Sequence, residues 1–487
     1  MQNYGYRQPV VLQNQGGRLR PDALASLVLL FGCMFITGYP SGDAYNMAHE
    51  TALILGTAIG IACLLEFKNN PRNIIRVDIL MLVALYGLTL MEFLYPQPDF
   101  NSYVSAERMV DVNLALAIGF SGIILGRHFP FRRYDVSRIQ RIEITPNVLI
   151  GALIMCALIG YFHMLWAVQF NPVRLVEEML GPRFSQPWTR GRLGGVADLL
   201  HELGLLIYLI PAAAGVILSR KSMFSGGQLF ITYTIFILTL FYGFSSGTRN
   251  IFVTFVITYF CAYIISSPGI TRKKVMRMGI VYALVLLVST QIILEFRKEG
   301  LAQYIARISI ERTENNASEP ESRTLFVDYN LLTLSRIIKY FPHQEDYLGF
   351  EVPYWALVKP VPRALWSGKP QGLSIAIEDV RGTYGAQATT WASTFLGEAY
   401  MAFGYTGIGI TALFFGLLAA WWNKRFVVTQ NMYLNLLYAS GIFAALISMR
   451  SLFWFTTAIL PTLALYLYGQ WFLRRRRTLV SNLTAKI

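Results

Sequence analysis

Twelve apolar stretches, each long enough at roughly 17–25 residues to cross a hydrocarbon layer as a helix, recur along the chain. They lie near 23–40, 48–66, 77–95, 109–126, 147–168, 199–219, 228–244, 250–267, 277–295, 400–422, 433–449 and 452–473. A backbone in lipid must satisfy its own hydrogen bonds, so such a series dictates an all-α polytopic membrane protein with about 12 transmembrane helices. A soluble enzyme is excluded, because only 14% of the residues are charged where soluble domains carry about 25%. The first stretch has the length of a secretory signal but lacks a small-residue cleavage site, and reads as a retained span. Cys33, Cys63, Cys156 and Cys261 lie within apolar runs and show no metal-ligand spacing, so neither a disulfide framework nor a structural zinc is expected.

Cationic residues set the orientation of such a chain. Segments 1–22, 67–76, 127–146, 220–227, 268–277, 423–432 and 474–487 hold 3, 3, 5, 2, 4, 2 and 5 Lys and Arg, whereas the short loops 41–47, 96–108, 245–249 and 450–451 hold 0, 1, 1 and 1. This bias places both termini in the cytoplasm, including the run Arg474 to Arg477. It also accounts for the net charge of +14 without nucleic acid. The organisation expected is nine spans over 1–295, a cap loop over 296–391, three spans over 392–473 and a basic tail over 474–487, with no internal repeat.

Two loops on the opposite side break the bias. Segment 169–198 carries Arg174, Arg183, Arg190 and Arg192, and 296–391 carries eleven basic and eleven acidic residues. The longer one exceeds a simple connector and is expected to form a folded cap. Leu301, Tyr304, Ile305 and Ile308 recur at helical spacing, as do Leu325, Tyr329, Leu332, Ile337 and Phe341, reading as short amphipathic helices at the membrane surface. Residues 313–322 are polar and acidic. Beyond Pro342, the prolines at 353, 360, 362 and 370 predict an extended path.

Three constellations carry candidate chemistry. Gly243-Phe244-Ser245-Ser246-Gly247-Thr248-Arg249-Asn250 turns sharply between two spans and presents Arg249, which can grip phosphate oxygens or lipid headgroups. Lys359-Pro360-Val361-Pro362-Arg363-Ala364-Leu365-Trp366-Ser367-Gly368-Lys369-Pro370 sets three cations on a proline-stiffened strand, with Trp355 and Trp366 able to stack on sugars or to fill the cap. Trp391 to Trp422 would run about 48 Å as one helix, so its outer third either projects or re-enters. Glu398 is the carboxylate of that third, a functional candidate or an ion-pair partner for a loop arginine. Arg190, Arg192, Arg249, Arg363, Lys369 and Arg450 together form a metal-free set for a diphosphate. His201 and His343 are possible bases, more simply read as hydrogen-bonded imidazoles. Glu345-Asp346 and Glu378-Asp379 lack the spacing of a metal site.

Arg192-x-Gly194-Gly195, the Ser-Gly-Thr-Arg turn at 246–249, the Pro-Arg-x-x-Trp-x-x-Lys-Pro run at 362–370 and Gly-Glu-x-Tyr-x-x-Phe-Gly-Tyr at 397–405 follow one another along the chain. In that order they resemble the bacterial oligosaccharide repeat-unit polymerases, the Wzy class of O-antigen and exopolysaccharide polymerases, over roughly residues 190–422. The resemblance implies an inner-membrane glycosyltransferase of GT-C type, metal-independent, without cofactor, and inverting. It would act at the periplasmic face on undecaprenyl-diphosphate-linked glycans, with a chain-length regulator as a possible partner. For such a reaction, in which charge builds on the departing diphosphate, Arg249, Arg363, Lys369, Arg190 and Arg192 are the residues expected at the diphosphate, Glu398 is expected as base or orienter, and Trp366 and Tyr400 are expected along the glycan path. Two alternatives stay open: an O-antigen ligase, whose large-loop histidine has only His343 to match it, and a lipid-linked oligosaccharide flippase, which calls for broken helices at mid-membrane and two related halves.

Overall fold

Every one of the twelve apolar stretches coincides with a helix, and short polar side chains start most of them. Asp22, Asp43, Ser105, Thr145, Thr271 and Asn431 each accept a hydrogen bond from a backbone amide of the first turn, and Ser225 with Gln228 forms a reciprocal capping box. Such caps satisfy donors that lipid leaves unpaired. The computed structural model describes residues 20–97, 99–131, 142, 144–182, 185–189, 198–297, 299–314, 330–363, 365–366, 368–370, 372–375, 393–425 and 431–471. All elements that these residues form are helices. Ten are long and apolar enough to cross a membrane, and two more are apolar but shorter; the protein is a multi-pass α-helical membrane protein.

In chain order the helices are α1 (Ala23–Phe35), α2 (Ala44–Asn69), α3 (Val77–Thr89), α4 (Ala106–Gly126), α5 (Pro146–Ala167), α6 (Leu199–Ser219), α7 (Gly226–Ser245), α8 (Arg249–Ser266) and α9 (Arg272–Phe296). There follow α10 (Leu301–Glu314), α11 (Asn330–Tyr340), α12 (Glu351–Val358), α13 (Thr394–Arg425), α14 (Met432–Arg450) and α15 (Leu452–Trp471). The centre is α14, buried almost throughout. Close backbone approach joins α4 to α13: a Cβ on Gly122 would lie 2.6 Å from that of Ala412, and one on Gly416 would lie 2.5 Å from the Ile123 carbonyl oxygen. Small residues of this kind are what allow helices to associate where lipid offers no hydrophobic drive.

Helix α13 is not one rod. Phe403 and Gly404 leave helical geometry, Gly404 at φ +61° and ψ −144°, a region that is essentially glycine's alone. Phe395 and Phe415 meet edge to face with centroids 5.3 Å apart, and Leu396 and Ile408 both close on Gly119 of α4. Residues 394–402 therefore fold back along 405–425 as a helical hairpin, which resolves the over-long stretch in favour of re-entry. The carbonyls of Met401 and Ala402, freed at the turn, accept from the amides of Leu348 and Gly349 at 2.9 Å each, so the hairpin tip is pinned by the segment ahead of α12.

The cap departs from expectation in two places. Helix α11, expected at the surface, is buried along nearly its whole length against α4 and α13. The stretch beyond Pro342, expected to be extended, contains α12; Pro353 sits in its first turn, where a missing amide hydrogen costs nothing. In α10, Leu301 and Tyr304 pack against Phe296 while Ile305 is exposed. Leu325, Tyr329, residues 315–322, the Glu378-Asp379 pair and both chain ends lie outside the described residues.

Among the described residues, five of the basic segments, 67–76, 127–146, 220–227, 268–277 and 423–432, gather at one end of the bundle. Arg72 donates to the Ser267 carbonyl, Arg220 to Ser266, Arg272 to Lys68 and Lys424 to Phe129, at 2.9, 3.2, 3.0 and 2.9 Å. Beneath them lies a buried ionic network absent from the sequence reading. Arg76 pairs bidentately with Asp78 at 3.0 Å, and Arg127 reaches Asp78 at 3.3 Å and Glu66 at 3.2 Å. Asn423 of α13 donates to Asp78 and accepts from Tyr438 of α14 at 2.8 Å. This network ties α2, α3, α4, α13 and α14 together by charges whose removal from water only mutual pairing offsets.

Candidate functional site

At the other end, the hairpin brings Glu398 against the junction between α14 and α15. Glu398 is one turn into the re-entrant half-helix and is 3% exposed. Its Oε1 accepts from the Ser451 hydroxyl at 2.5 Å, and its Oε2 accepts from the amides of Leu452 and Phe453 at 2.6 and 3.4 Å. A carboxylate at the amino end of α15 satisfies unpaired donors there and complements the helix dipole. The acid thus fixes the α14–α15 junction; it holds a helix start, where the sequence offered an arginine partner.

Immediately before Ser451, the Arg450 guanidinium donates from Nη1 and Nε to the side-chain oxygen of Asn250, at 3.1 and 3.0 Å with the amide oriented to accept them. Asn250 follows Arg249, the first residue of α8, whose side chain is only 8% exposed. The contacts Asn250–Arg450 and Ser451–Glu398 join segments two hundred residues apart in sequence, and they bring two of the nominated residues, Arg450 and Glu398, to one junction, with Arg249 next in sequence to Asn250.

The proline-rich run reaches the same place through Lys359, a cation outside the set expected at the diphosphate. Lys359, at the carboxyl end of α12, carries its ammonium over the rings of Phe453 and Trp454 at 5.6 and 5.3 Å, beside the amides that Glu398 accepts and close enough for its charge to act on that acid. Lys369, by contrast, is buried: its Nζ donates to the carbonyls of Lys359 and Val361 at 2.6 and 2.7 Å and lies 5.3 Å over the Trp355 ring. It closes the loop around α12 and steadies Lys359, in place of the phosphate contact expected of it. Arg363 is exposed and donates to the Pro370 carbonyl at 3.2 Å.

Trp366 is 36% exposed, open as a stacking surface requires. Tyr400 is not; it is 4% exposed and packs between Tyr347 and Tyr405, with centroids at 5.9 and 5.2 Å, so it supports the hairpin turn in place of an open glycan path. Arg190 and Arg192 lie outside the described residues. His343 is exposed. His201 faces His163 at 5.2 Å, and the two Nδ1 atoms bond the carbonyls of Trp188 and Gly160, a pairing that holds the irregular middle of α6 against α5. An apolar cavity of about 310 Å³ starts beside Ser448 and Phe455, below the Arg450-Ser451 junction, and runs between α13, α14 and α15 to Trp421, Trp422 and Tyr466.

Asn250, Ser451 and Lys359 are the contributors that sequence reasoning passed over. Asn250 and Ser451 each stand next to a nominated arginine at a span boundary, and Lys359 is the cation preceding Pro360; those positions were the available signal. No family model matches the chain, and no curated protein or solved structure matches it significantly. What the fold defines is a polytopic α-helical membrane protein with a cation-lined junction at one end.

Proposed function

We propose that the protein is a glycosyltransferase that polymerises undecaprenyl-diphosphate-linked oligosaccharide repeat units at the periplasmic face of a bacterial inner membrane. The observation that carries the reading is the pair of contacts Asn250–Arg450 and Ser451–Glu398, with Lys359 alongside: cations from two distant segments stand at one helix junction, with Arg249 next in sequence to Asn250, above an apolar cavity suited to a prenyl chain. Attack of an acceptor hydroxyl forms a new bond to the anomeric carbon and breaks that carbon's bond to the diphosphate. The hydroxyl proton passes to solvent, and the leaving diphosphate gathers charge. Guanidinium and ammonium groups fixed before the reaction stabilise that charge best where water is excluded. Glu398 contributes by holding Ser451 and the start of α15 in place beside Arg450, and Trp366 offers a face to the glycan.

A flippase reading draws support from one observation, the re-entrant half-helix of α13, since broken helices accompany transport. Deleting the gene and resolving lipid-linked glycans on gels separates the readings. Accumulation of single repeat units on the periplasmic side supports polymerisation, trapping of units on the cytoplasmic side supports a flippase, and long lipid-linked polymer lacking transfer to lipid A core supports a ligase.

A further inference from the structure

We infer that α12 is an interfacial helix, seated in the headgroup and acyl boundary of the bilayer at the Glu398 end of the bundle. Its two faces are both apolar. Val352 and Ala356 are buried against the bundle, whereas Phe350, Tyr354 and Leu357 recur at i, i+4 and i+7 and are 80%, 49% and 73% exposed; residues so spaced share one side of a helix. Leu365 just beyond is 72% exposed. Water does not stabilise such a patch, and large exposed apolar faces mark an interaction surface.

The occupant is lipid on three grounds. The patch is continuous with the flanks of two spans: the Phe350 ring meets Phe403 at the hairpin turn, with centroids 5.2 Å apart, and Trp454 of α15 is exposed on the other side of Lys359. The helix's one acid is withdrawn from it, because Glu351 accepts from the hydroxyl and the amide of Ser374. Cations follow the apolar face directly, at Lys359 and Arg363, the arrangement by which a helix lies in an interface with its basic end at the phosphate level. Seated there, α12 fixes the height of Lys359 relative to the membrane and leaves the junction approachable sideways from lipid. This inference stands independently of the glycosyltransferase reading.

The test is site-directed spin labelling of the full chain in phosphatidylethanolamine/phosphatidylglycerol vesicles. Labels are placed at Leu357→Cys and, as a second variant, Phe350→Cys; Leu284→Cys on the exposed side of α9 serves as the lipid reference and Glu345→Cys as the aqueous one. The wild-type chain, carried through the same labelling, gives the background of the four native cysteines. The expected result is that both α12 labels collide with oxygen several-fold more than with a water-soluble nickel chelate, as at 284. Nickel accessibility equal to that at 345 would mean a face open to water or glycan, and protection from both reagents would mean a face covered by another protein copy; either overturns the inference.

Discussion

Phe395 and Phe415 stand edge to face with ring centroids 5.3 Å apart, although a straight helix would hold them about 30 Å apart along its axis. That contact exists because Gly404 reverses the chain, and the reversal is what carries Glu398 to the α14–α15 junction.

Gly404→Ala therefore tests the hairpin. A Cβ there would demand a positive φ and meet the Tyr347 hydroxyl at 2.7 Å, and strain of this kind costs about 1–3 kcal/mol. We expect a lowered Tm of the detergent-solubilised protein. Gly409→Ala, whose Cβ would make an ordinary contact with Ile118 at 3.5 Å, should leave it unchanged within about 0.5 kcal/mol.

For Glu398, the geometry separates a positioning group from a base. Glu398→Gln retains the shape but turns hydrogen-bond donors toward donors, with a penalty of about 1–3 kcal/mol. Ser451→Ala removes one of the same contacts. If the acid positions the junction, both variants lower Tm and shorten the polymer in the same direction. A Glu398→Gln protein that is inactive at unchanged Tm, beside a normal Ser451→Ala, would instead identify a base.

Lys359 and Lys369 should fail in different ways. Lys359→Met is expected to raise KM for the lipid-diphosphate substrate by about tenfold, on the order of 1.4 kcal/mol, with little change in Tm. Lys369→Met leaves two backbone carbonyls without their donor and should lower Tm. Arg363→Met, at an exposed site, should shift Tm little; equal behaviour of all three would remove the distinction.

At the opposite end, Asp78→Asn leaves Arg76 and Arg127 without their shared carboxylate. Breaking a buried pair on one side costs about 3–5 kcal/mol, so the variant should be recovered from membranes in markedly smaller folded yield, as read by fluorescence-detected size exclusion.

Helix positions were legible because apolar length is a local property: each of the twelve stretches coincides with a helix, ten of them long enough to cross a membrane. The hairpin was legible only as a choice, since Trp391 to Trp422 is too long for one crossing but nothing local says which way the excess turns; Gly404 and the contacts to α4 decide it. The ionic network escaped notice because Glu66, Asp78, Arg76 and Arg127 fall at span ends, where charge ordinarily meets water; helix packing encloses them. Among the candidate site residues, Glu398 and Arg450 come to one helix junction, through Ser451 and Asn250. Lys369 and Tyr400 do not face an open site, because their partners, the Lys359 and Val361 carbonyls and the rings of Tyr347 and Tyr405, are supplied by folding of the cap and the hairpin.

The most direct measurement of the central claim is product analysis with purified protein in liposomes supplied with undecaprenyl-diphosphate-linked repeat units. Products of two or more repeats together with released undecaprenyl diphosphate are expected, and loss of both with Arg450→Ala protein of unchanged Tm. Undiminished product from folded Arg450→Ala protein, or wild-type protein that leaves every unit unjoined, would contradict it.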